Sequence, residues 1–427
     1  MMIRMPKEAQ EILEKLNAHG YEAYIVGGCV RDSLLEKEPE DWDITTSAKP
    51  EEVKSVFGRT IDTGIQHGTV TIMRGKTGYE VTTYRIDGEY EDGRHPKTVE
   101  FTSNLKEDLK RRDFTINAMA YSPREGLIDI FGGVRDLQAG TIRCVGTAAD
   151  RFTEDALRML RALRFSAQLG FKIEENTWHS IKTIGPNLAR VSKERVQTEL
   201  TKLLLSSHPE HIKMVFSCSL ESCIAPGFAR LIPDKIFINP QLPPIKSLRW
   251  ASLLKEQSPQ EAAQILKELK MDNDTIDKVK LLVKMCPIPI GLTPAQIRRA
   301  MSQMPDELFD SLLLLKRSLT ACGETDRGSE NIQTSDAIPD KILPALQELD
   351  QIRRTAREIR LRGDCINLKM LAVTGKDLIT HGMKPGKQLG ETLKNLLNLV
   401  IEHPELNQKE TLLTIINSPE NLPSSNQ

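Results

Sequence analysis

The stretch Tyr24–Thr45, YIVGGCVRDSLLEKEPEDWDIT, decides the fold expected for this chain. An apolar run ends in Gly27-Gly28, a short helical pattern follows, and a second extended segment carries Asp41 and Asp43. Glycines allow backbone N–H groups to approach a phosphate at the start of a helix. Residues two apart in an extended segment point to one side, so the two aspartates can share hard cations. Each half is a weak signal by itself, but both in this order predict a phosphate-and-metal site.

The composition is that of an ordinary globular protein. The 427 residues are 39% hydrophobic and 27% charged, enough for roughly three domains of about 100–200 residues each. Aromatic residues make up only 5%, which argues against a β-sandwich. We expect no membrane partner, because no run is long enough to cross a bilayer and the first residues lack the apolar core of a signal peptide. Seven scattered cysteines without a Cys-x-x-Cys motif predict reduced thiols and a cytoplasmic location.

Two basic segments stand out in a chain whose formal net charge is −1. Residues 151–205 hold ten Lys and Arg against six Asp and Glu, and residues 353–387 hold nine against three. Either segment alone is typical of a solvated helix face. Two of them in a chain without overall positive charge favour binding to the phosphate backbone of a nucleic acid.

Strands and helices alternate up to about residue 145, and helices follow. Residues 68–73 and 79–84 alternate as a β-hairpin, and the charged segment 85–96 after it is predicted to be a mobile loop. The mixture over residues 20–145 predicts an α/β or α+β head, and a polar stretch at 322–337 predicts a linker or long loop. Helical periodicity then recurs at 153–169, 174–184, 192–205, 247–256, 259–270, 273–285, 294–301, 306–319, 340–360 and 388–402.

The helix predicted at 153–169 carries a polar ridge in which Asp155, Arg158, Arg161 and Arg164 recur every third residue. Asp155 can accept a hydrogen bond from the exocyclic amino group of cytosine or adenine, while Arg158 donates to the neighbouring ring nitrogen. Uracil and guanine present the reverse order, so this pair can admit C and A and reject U and G. Arg161 and Arg164 remain for triphosphate or RNA phosphate. The opposite stripe predicts a core face: Ala156, Met159, Leu160, Leu163 and Ala167.

Five ordered motifs resemble those of a known family: GGCVRD, EDWDIT, HGTVTI, RRDFTINAMAY and RFTEDALRMLRALRF. The chain is similar to the class II tRNA nucleotidyltransferases, the template-independent CCA-adding enzymes, which are closely related to bacterial poly(A) polymerases. The resemblance is strong over residues 20–205 and looser in the tail. It implies an α+β fold with a polymerase-beta-like nucleotidyltransferase head (1–145) that contains a mixed sheet, followed by all-α neck (146–205), body (206–320) and tail (321–427) domains, the neck selecting the nucleobase and the tail binding tRNA.

The resemblance also implies a reaction and its site residues. The 3′-OH of tRNA attacks the α-phosphate of CTP or ATP, pyrophosphate leaves, and two Mg²⁺ ions assist. Asp41 and Asp43 hold the metals. Gly28, Arg31 and Arg112 contact the nucleotide, and the neck residues contact its base and triphosphate: Asp155, Arg158, Arg161 and Arg164.

Sites of this kind often contain a third carboxylate. Glu80, on the second strand of the hairpin, is the preferred candidate, and Asp113 is the weaker alternative. An exposed strand residue without a role in catalysis is the alternative interpretation of Glu80.

Several alternatives stay open. The segment 62–68, DTGIQHG, resembles the tRNA enzymes rather than the poly(A) polymerases, and the intact segment 85–96 disfavours an enzyme that adds only CC. An A-adding enzyme would keep nearly all the motifs. A glycosyltransferase would not explain the arginine ridge, and a non-catalytic RNA-binding protein would not need both aspartates. His208 and His211 alone indicate surface residues. The oligomeric state is left open, a homodimer included.

Overall fold

The computed structural model describes residues 2–88, 99–322 and 342–417. The chain divides into two compact units, Met1–Pro240 with Gln264–Asp272 and Gln241–Ala263 with Asn273–Gln427. The finer division into head, neck, body and tail stays a prediction. Within the described ranges, no helix is both long and apolar enough to cross a bilayer.

A seven-stranded mixed sheet forms the centre of the head. The strands of the described chain are β1 (Ala23–Val26), β2 (Ile44–Thr46), β3 (Thr60–Gly64), β4 (Thr69–Arg74), β5 (Thr77–Thr83), β6 (Arg85–Asp87), β7 (Val99–Phe101), β8 (Ala120–Ser122), β9 (Gly126–Ile128), β10 (Thr141–Ile142) and β11 (Lys172–Ile173). The order in the sheet is β3-β4-β5-β2-β1-β8-β9. β1 pairs antiparallel with β2 and β8, while β2 pairs parallel with β5. Two short pairs, β6-β7 and β10-β11, lie outside this sheet.

Both faces of β1 are buried, because side chains alternate between two hydrophobic clusters. Ala23 and Ile25 pack in one cluster with Ile12 and Leu16 of the first helix. Tyr24 and Val26 pack in the other, together with Tyr84 and Leu109. The apolar run of the opening stretch is thus a central strand, which fixes the position of everything that follows Val26.

Helices make up the rest of the described chain, as the sequence predicts. Five belong to the head: α1 (Lys7–Ala18), α2 (Gly28–Leu34), α3 (Pro50–Val56), α4 (Leu105–Lys110) and α5 (Gly133–Gln138). Those that follow are α6 (Ala148–Glu154), α7 (Leu157–Leu169), α8 (Glu175–Ile184), α9 (Lys193–Leu204), α10 (Lys213–Ser217), α11 (Glu221–Ile224), α12 (Lys246–Leu254), α13 (Pro259–Glu268), α14 (Asn273–Met285), α15 (Pro294–Met301), α16 (Asp306–Cys322), α17 (Leu343–Arg362), α18 (Gly375–Thr380), α19 (Lys387–Glu402) and α20 (Lys409–Asn417). The α+β fold with a helical remainder is confirmed.

The hairpin is also confirmed, with a two-residue turn between Arg74 and Thr77. The prediction of a loop at 85–96, directly after the hairpin, is wrong for the first residues of that segment. β6 pairs antiparallel with β7, Arg85 opposite Phe101, because both segments offer extended backbone to each other. The structure also describes Gly88 of that predicted loop and Cys322, which ends α16, of the linker or long loop predicted at 322–337. The other residues of both segments lie outside the described ranges.

The single helix predicted over 153–169 is in fact two. α6 ends at Glu154, Asp155 is extended, and α7 begins at Leu157. The cause is the side chain of Asp155, whose Oδ1 accepts a hydrogen bond of 3.0 Å from the backbone N–H of Leu157. This is the interaction by which aspartate starts a helix. The predicted core stripe of α7 is buried as expected.

In the second unit a buried arginine joins three segments. Arg298 on α15 donates to the backbone carbonyl of Ile401 on α19 at 2.7 Å and to Asp364, just after α17, at 3.0 Å. A buried guanidinium is tolerated only when it is paired and hydrogen-bonded in this way.

Candidate active site

The glycine turn of the opening stretch lies where β1 meets α2. Gly27 has φ of +81°, and a Cβ atom there would lie 3.1 Å from Nη1 of Arg112. The positive φ favours glycine, and the close guanidinium leaves little room for a side chain there. The next residue, Gly28, begins α2 and lines a cleft of about 650 Å³.

The two aspartates lie on the same cleft. The backbone N–H of Val26 donates to the carbonyl of Asp43 at 3.0 Å, which continues the pairing of β1 with β2 by one residue. Asp41 and Asp43 both line the cleft with Gly28 and Arg31, as their spacing predicts. Arg164 contributes to the same wall.

Glu80 is brought to Asp43 by strand register. β2 and β5 run parallel with Ile44 opposite Val81, so the residues just before them, Asp43 and Glu80, are neighbours. Partial burial raises the pKa of Asp43 although its side chain is open to the cleft; Arg112 opposes the rise, while the carboxylates of Glu80 and Asp41 add to it. Three carboxylates therefore concentrate negative charge at one point. Oxygen ligands of this kind fit a hard divalent cation.

Asp113, the weaker candidate for a third carboxylate, has a different environment. It accepts hydrogen bonds from Asn117 Nδ2 at 3.1 Å and from Arg161 Nε at 2.7 Å. Burial alone would raise the pKa of Asp113, but Arg161 and these hydrogen bonds lower it to about 2. The geometry thus assigns Asp113 to an ion pair and leaves Glu80 beside Asp43.

The two head arginines differ in how far they are already bonded. Arg31 donates two hydrogen bonds of 2.8 Å to Asp32 and one of 2.6 Å to Asn117. Arg112 makes a longer contact of 3.4 Å from Nη2 to Asp108, and its Nε is buried with no hydrogen-bond partner among the described residues. Because an unmet buried donor is costly, Arg112 is suited to bind an anion.

Each of the two residues predicted to read the base has charged or polar partners within the protein. Asp155 Oδ2 accepts from Arg195 Nη2 at 2.7 Å, while Arg158 donates to Glu154 at 2.6 Å and to the backbone carbonyl of Arg111 at 2.9 Å. The other two arginines pair with carboxylates as well: Arg161 with Asp113, and Arg164 with Glu199.

Phe165 holds three of these guanidinium groups together. Its ring centroid lies 3.9 Å from Cζ of Arg164, 5.0 Å from that of Arg31 and 5.4 Å from that of Arg161. Contacts of arginine with an aromatic face are favourable by about 0.5–2 kcal/mol each. The arrangement links head and neck arginines around one side chain.

Sequence reasoning missed the residues that orient the arginines. Asp108 is completely buried and accepts from both Arg111 and Arg112. Its spacing of three and four residues from them is a helical signal that was available. Asn117 lies four residues after Asp113 and joins it to Arg31. The partners contributed by α9 carry no local signal because they come from a distant segment: Arg195 and Glu199.

Comparison with known proteins agrees with this geometry. The family model "Poly A polymerase head domain" matches residues 23–143, the model "Probable RNA and SrmB- binding site of polymerase A" matches residues 170–231, and the model of tRNA nucleotidyltransferase domain 2 matches residues 327–416. The fold and the site define a nucleotidyltransferase with a polymerase-beta-like head.

Whole-chain similarity narrows the class. The CCA-adding enzyme of Leuconostoc mesenteroides is 38% identical over 421 residues, 96% of each chain, and that of Lactobacillus helveticus is 37% identical over 92% of each chain. The chain belongs to the CCA-adding enzyme family. Enzymes of this nucleotidyltransferase family use a divalent metal ion.

Solved structures show the same fold. The Bacillus stearothermophilus CCA-adding enzyme in complex with CTP has a TM-score of 0.78 at 31% identity, over 98% of this chain and 99% of that one. The Thermotoga maritima CCA-adding enzyme complexed with tRNA has a TM-score of 0.62 at 21% identity, over 98% and 97%, which supports the fold alone.

The low pKa of Asp113 predicts a pH-dependent contribution to stability. Its folded value of about 2 lies below the unfolded value near 3.9, so the stabilisation is present above pH 4 and is lost as the pH falls toward 2. We expect Asp113→Asn to lower the free energy of unfolding by about 2 kcal/mol at pH 7, and the deficit to shrink at pH 3. Denaturant unfolding at both values measures this, with the exposed Asp62→Asn as control. A deficit that stays constant with pH would contradict the assignment.

Proposed function

We propose that this protein adds CCA to the 3′ end of tRNA, using CTP and ATP and releasing pyrophosphate. The observation that carries the proposal is the carboxylate cluster beside the glycine turn, formed by Asp41, Asp43 and Glu80. Whole-chain similarity also supports the proposal, since the chain is similar over 96% of its length to a CCA-adding enzyme. The free cysteines among the described residues favour the cytoplasm.

The three carboxylates are proposed to hold two Mg²⁺ ions. Asp43, whose pKa is raised partly by its acidic neighbours, would lose that repulsion once divalent charge is bound. Magnesium supplies Lewis acidity that lowers the pKa of the attacking 3′-OH and neutralises the leaving group. Asp41 lies just before β2 and Glu80 lies within β5, so the two ions would be shared between neighbouring segments of the sheet.

The nucleotide phosphates are proposed to lie against the glycine turn, with Arg112 beside it. The close approach of Arg112 Nη1 to Gly27 and the unmet Nε supply a positive group at the backbone turn. Gly28 and Arg31 line the cleft that Asp41 and Asp43 also line. Arg164 would extend the positive wall toward the triphosphate.

The choice of C and A is proposed to reside at Asp155 and Arg158, with Arg161 and Arg164 beside them. Asp155 is held by Arg195 and by the start of α7, and Arg158 by Glu154. A fixed carboxylate accepts from an amino group and repels a carbonyl, which is the distinction between C or A and U or G.

An incorporation assay tests the reaction. Purified protein is given tRNA lacking its last three nucleotides and radiolabelled CTP, ATP, UTP or GTP, singly and together. We expect two C residues and one A residue to be added, and no U or G. Absence of CTP incorporation would overturn the proposal in favour of an A-adding enzyme, and long A tails on any RNA would favour a poly(A) polymerase.

The metal-binding carboxylates have a separate test. Asp43→Asn and Glu80→Gln should each reduce the rate of incorporation by about 10³-fold, because a bound metal contributes several kcal/mol to transition-state stabilisation. tRNA binding should be nearly unchanged in both variants. Asp62→Asn, an exposed carboxylate of β3 paired with Lys54, is the matched control. Retained turnover would remove the changed residue from the metal site.

Nucleotide selection is tested at the neck. Asp155→Ala combined with Arg158→Ala should raise UTP incorporation relative to CTP by about 10- to 100-fold, the value of a lost bidentate contact of 1–3 kcal/mol. Asp155→Asn checks the result without removing the side chain, and Asp150→Asn on α6 is the exposed control. If UTP stays excluded in the double variant, discrimination lies elsewhere.

A further inference from the structure

The turn that follows α9 gathers three side chains of metal-ligand type. His208, Glu210 and His211 each offer a ligand atom, and the three atoms lie within 4.8 Å of one another. The cause is the 3₁₀ turn Pro209–Ile212, in which side chains three residues apart eclipse. The rings of His208 and His211 are accordingly stacked, with centroids 5.5 Å apart at 26°. All three residues are partly exposed, with side-chain exposures of 44% for His208 and 41% for Glu210.

Glu210 supplies an independent sign that a ligand belongs here. Its Oε1 lies 3.1 Å from Nδ1 of His208. Its Oε2 has no accessible surface and no hydrogen-bond partner among the described residues. A buried carboxylate oxygen without a partner is costly, and a bound cation would satisfy it.

The histidines are oriented by groups behind them. His211 Nδ1 hydrogen-bonds Oγ of Ser166 on α7 at 3.1 Å, which leaves Nε2 of the ring for another partner. Metal-bound histidines usually use the second ring nitrogen in this manner. Gly170, which ends α7, gives His208 its room, since a Cβ atom there would lie 3.0 Å from Nε2.

We propose that His208, Glu210 and His211 form a site for a transition-metal ion with the ligand preference of Zn²⁺. Two imidazoles and one carboxylate suit zinc, with bonds of about 2.0–2.2 Å and a fourth position for water. Tetrahedral ligands then lie about 3.4 Å apart, so the ligand atoms, which are now within 4.8 Å of one another, would move closer together on binding. The all-oxygen cluster at Asp43 differs in preferring harder cations.

The site would be structural. Its ligands lie on the turn after α9, and Ser166 connects them to α7. A bound ion would therefore fasten this turn to the helix that carries Arg164, next to the cleft lined by Ser206 and Ser207.

Zinc binding to the full chain tests the proposal. Calorimetric titration with Zn²⁺ in excess Mg²⁺, which fills the oxygen site, should show one strongly bound Zn²⁺ per chain. Thermal unfolding of the zinc-bound chain should show a rise in Tm. His208→Ala with His211→Ala should abolish this binding. Ser166→Ala should weaken it by about 10- to 100-fold, the usual effect of losing a group that orients a ligand. His179→Ala, an exposed histidine of α8, should leave it unchanged.

Two further variants make the result decisive. Glu210→Gln keeps the shape of the side chain and should lower zinc affinity even if the double histidine variant fails to fold. Asp43→Asn should retain the bound zinc. The proposal is overturned if the wild-type chain binds no Zn²⁺, if binding survives both ligand changes, or if Asp43→Asn removes it.

Discussion

The candidate site of the head is governed by one electrostatic constraint, the mutual repulsion of Asp41, Asp43 and Glu80. Parallel pairing of β2 with β5 places Glu80 beside Asp43, and Asp41 lies two residues before Asp43 in the chain. Neighbouring like charges are unfavourable unless a rigid frame and nearby positive charge hold them in place. The frame is the sheet, whose central strand is buried on both faces. The positive charge is Arg112, which opposes the rise in the pKa of Asp43 that burial and the two acidic neighbours cause.

A largely buried chain of alternating charges connects the head with the helical part of the same unit. Asp113 pairs with Arg161, Arg161 lies 3.9 Å from Glu199, and Glu199 pairs with Arg164. In a low-dielectric environment each member depends on the next, since removal of one leaves an uncompensated charge. The arginine ridge is therefore a structural network as well as a proposed nucleotide contact. A surface helix with solvated salt bridges, the ordinary interpretation of its sequence, does not describe it.

Short-range pattern made much of the head predictable, and long-range pairing accounts for what was missed. The β1 strand, the glycine turn and the two aspartates lie within 22 residues, so periodicity and spacing were enough. Glu80 was a better candidate than Asp113 only on strand position, and the register that places it beside Asp43 arises from a parallel pairing that no local pattern encodes. The break between the two helices at Asp155 was missed because the apolar periodicity continues across it. Only the hydrogen bond made by the Asp155 side chain reveals the break. Arg195 could not be found, because it comes from another helix.

Asp155 shows how a structural role and a selective role fit one side chain. Oδ1 caps α7 and Oδ2 accepts from Arg195, yet an ionised carboxylate has about four acceptor positions. Two of these remain for an incoming amino group, so base binding does not require the cap to be broken. The same two bonds prevent the carboxylate from rotating toward a donor of a different shape. If the base binds there, selectivity follows from an acceptor whose orientation is fixed by the fold before the nucleotide arrives, and the cost of ordering it has already been met during folding.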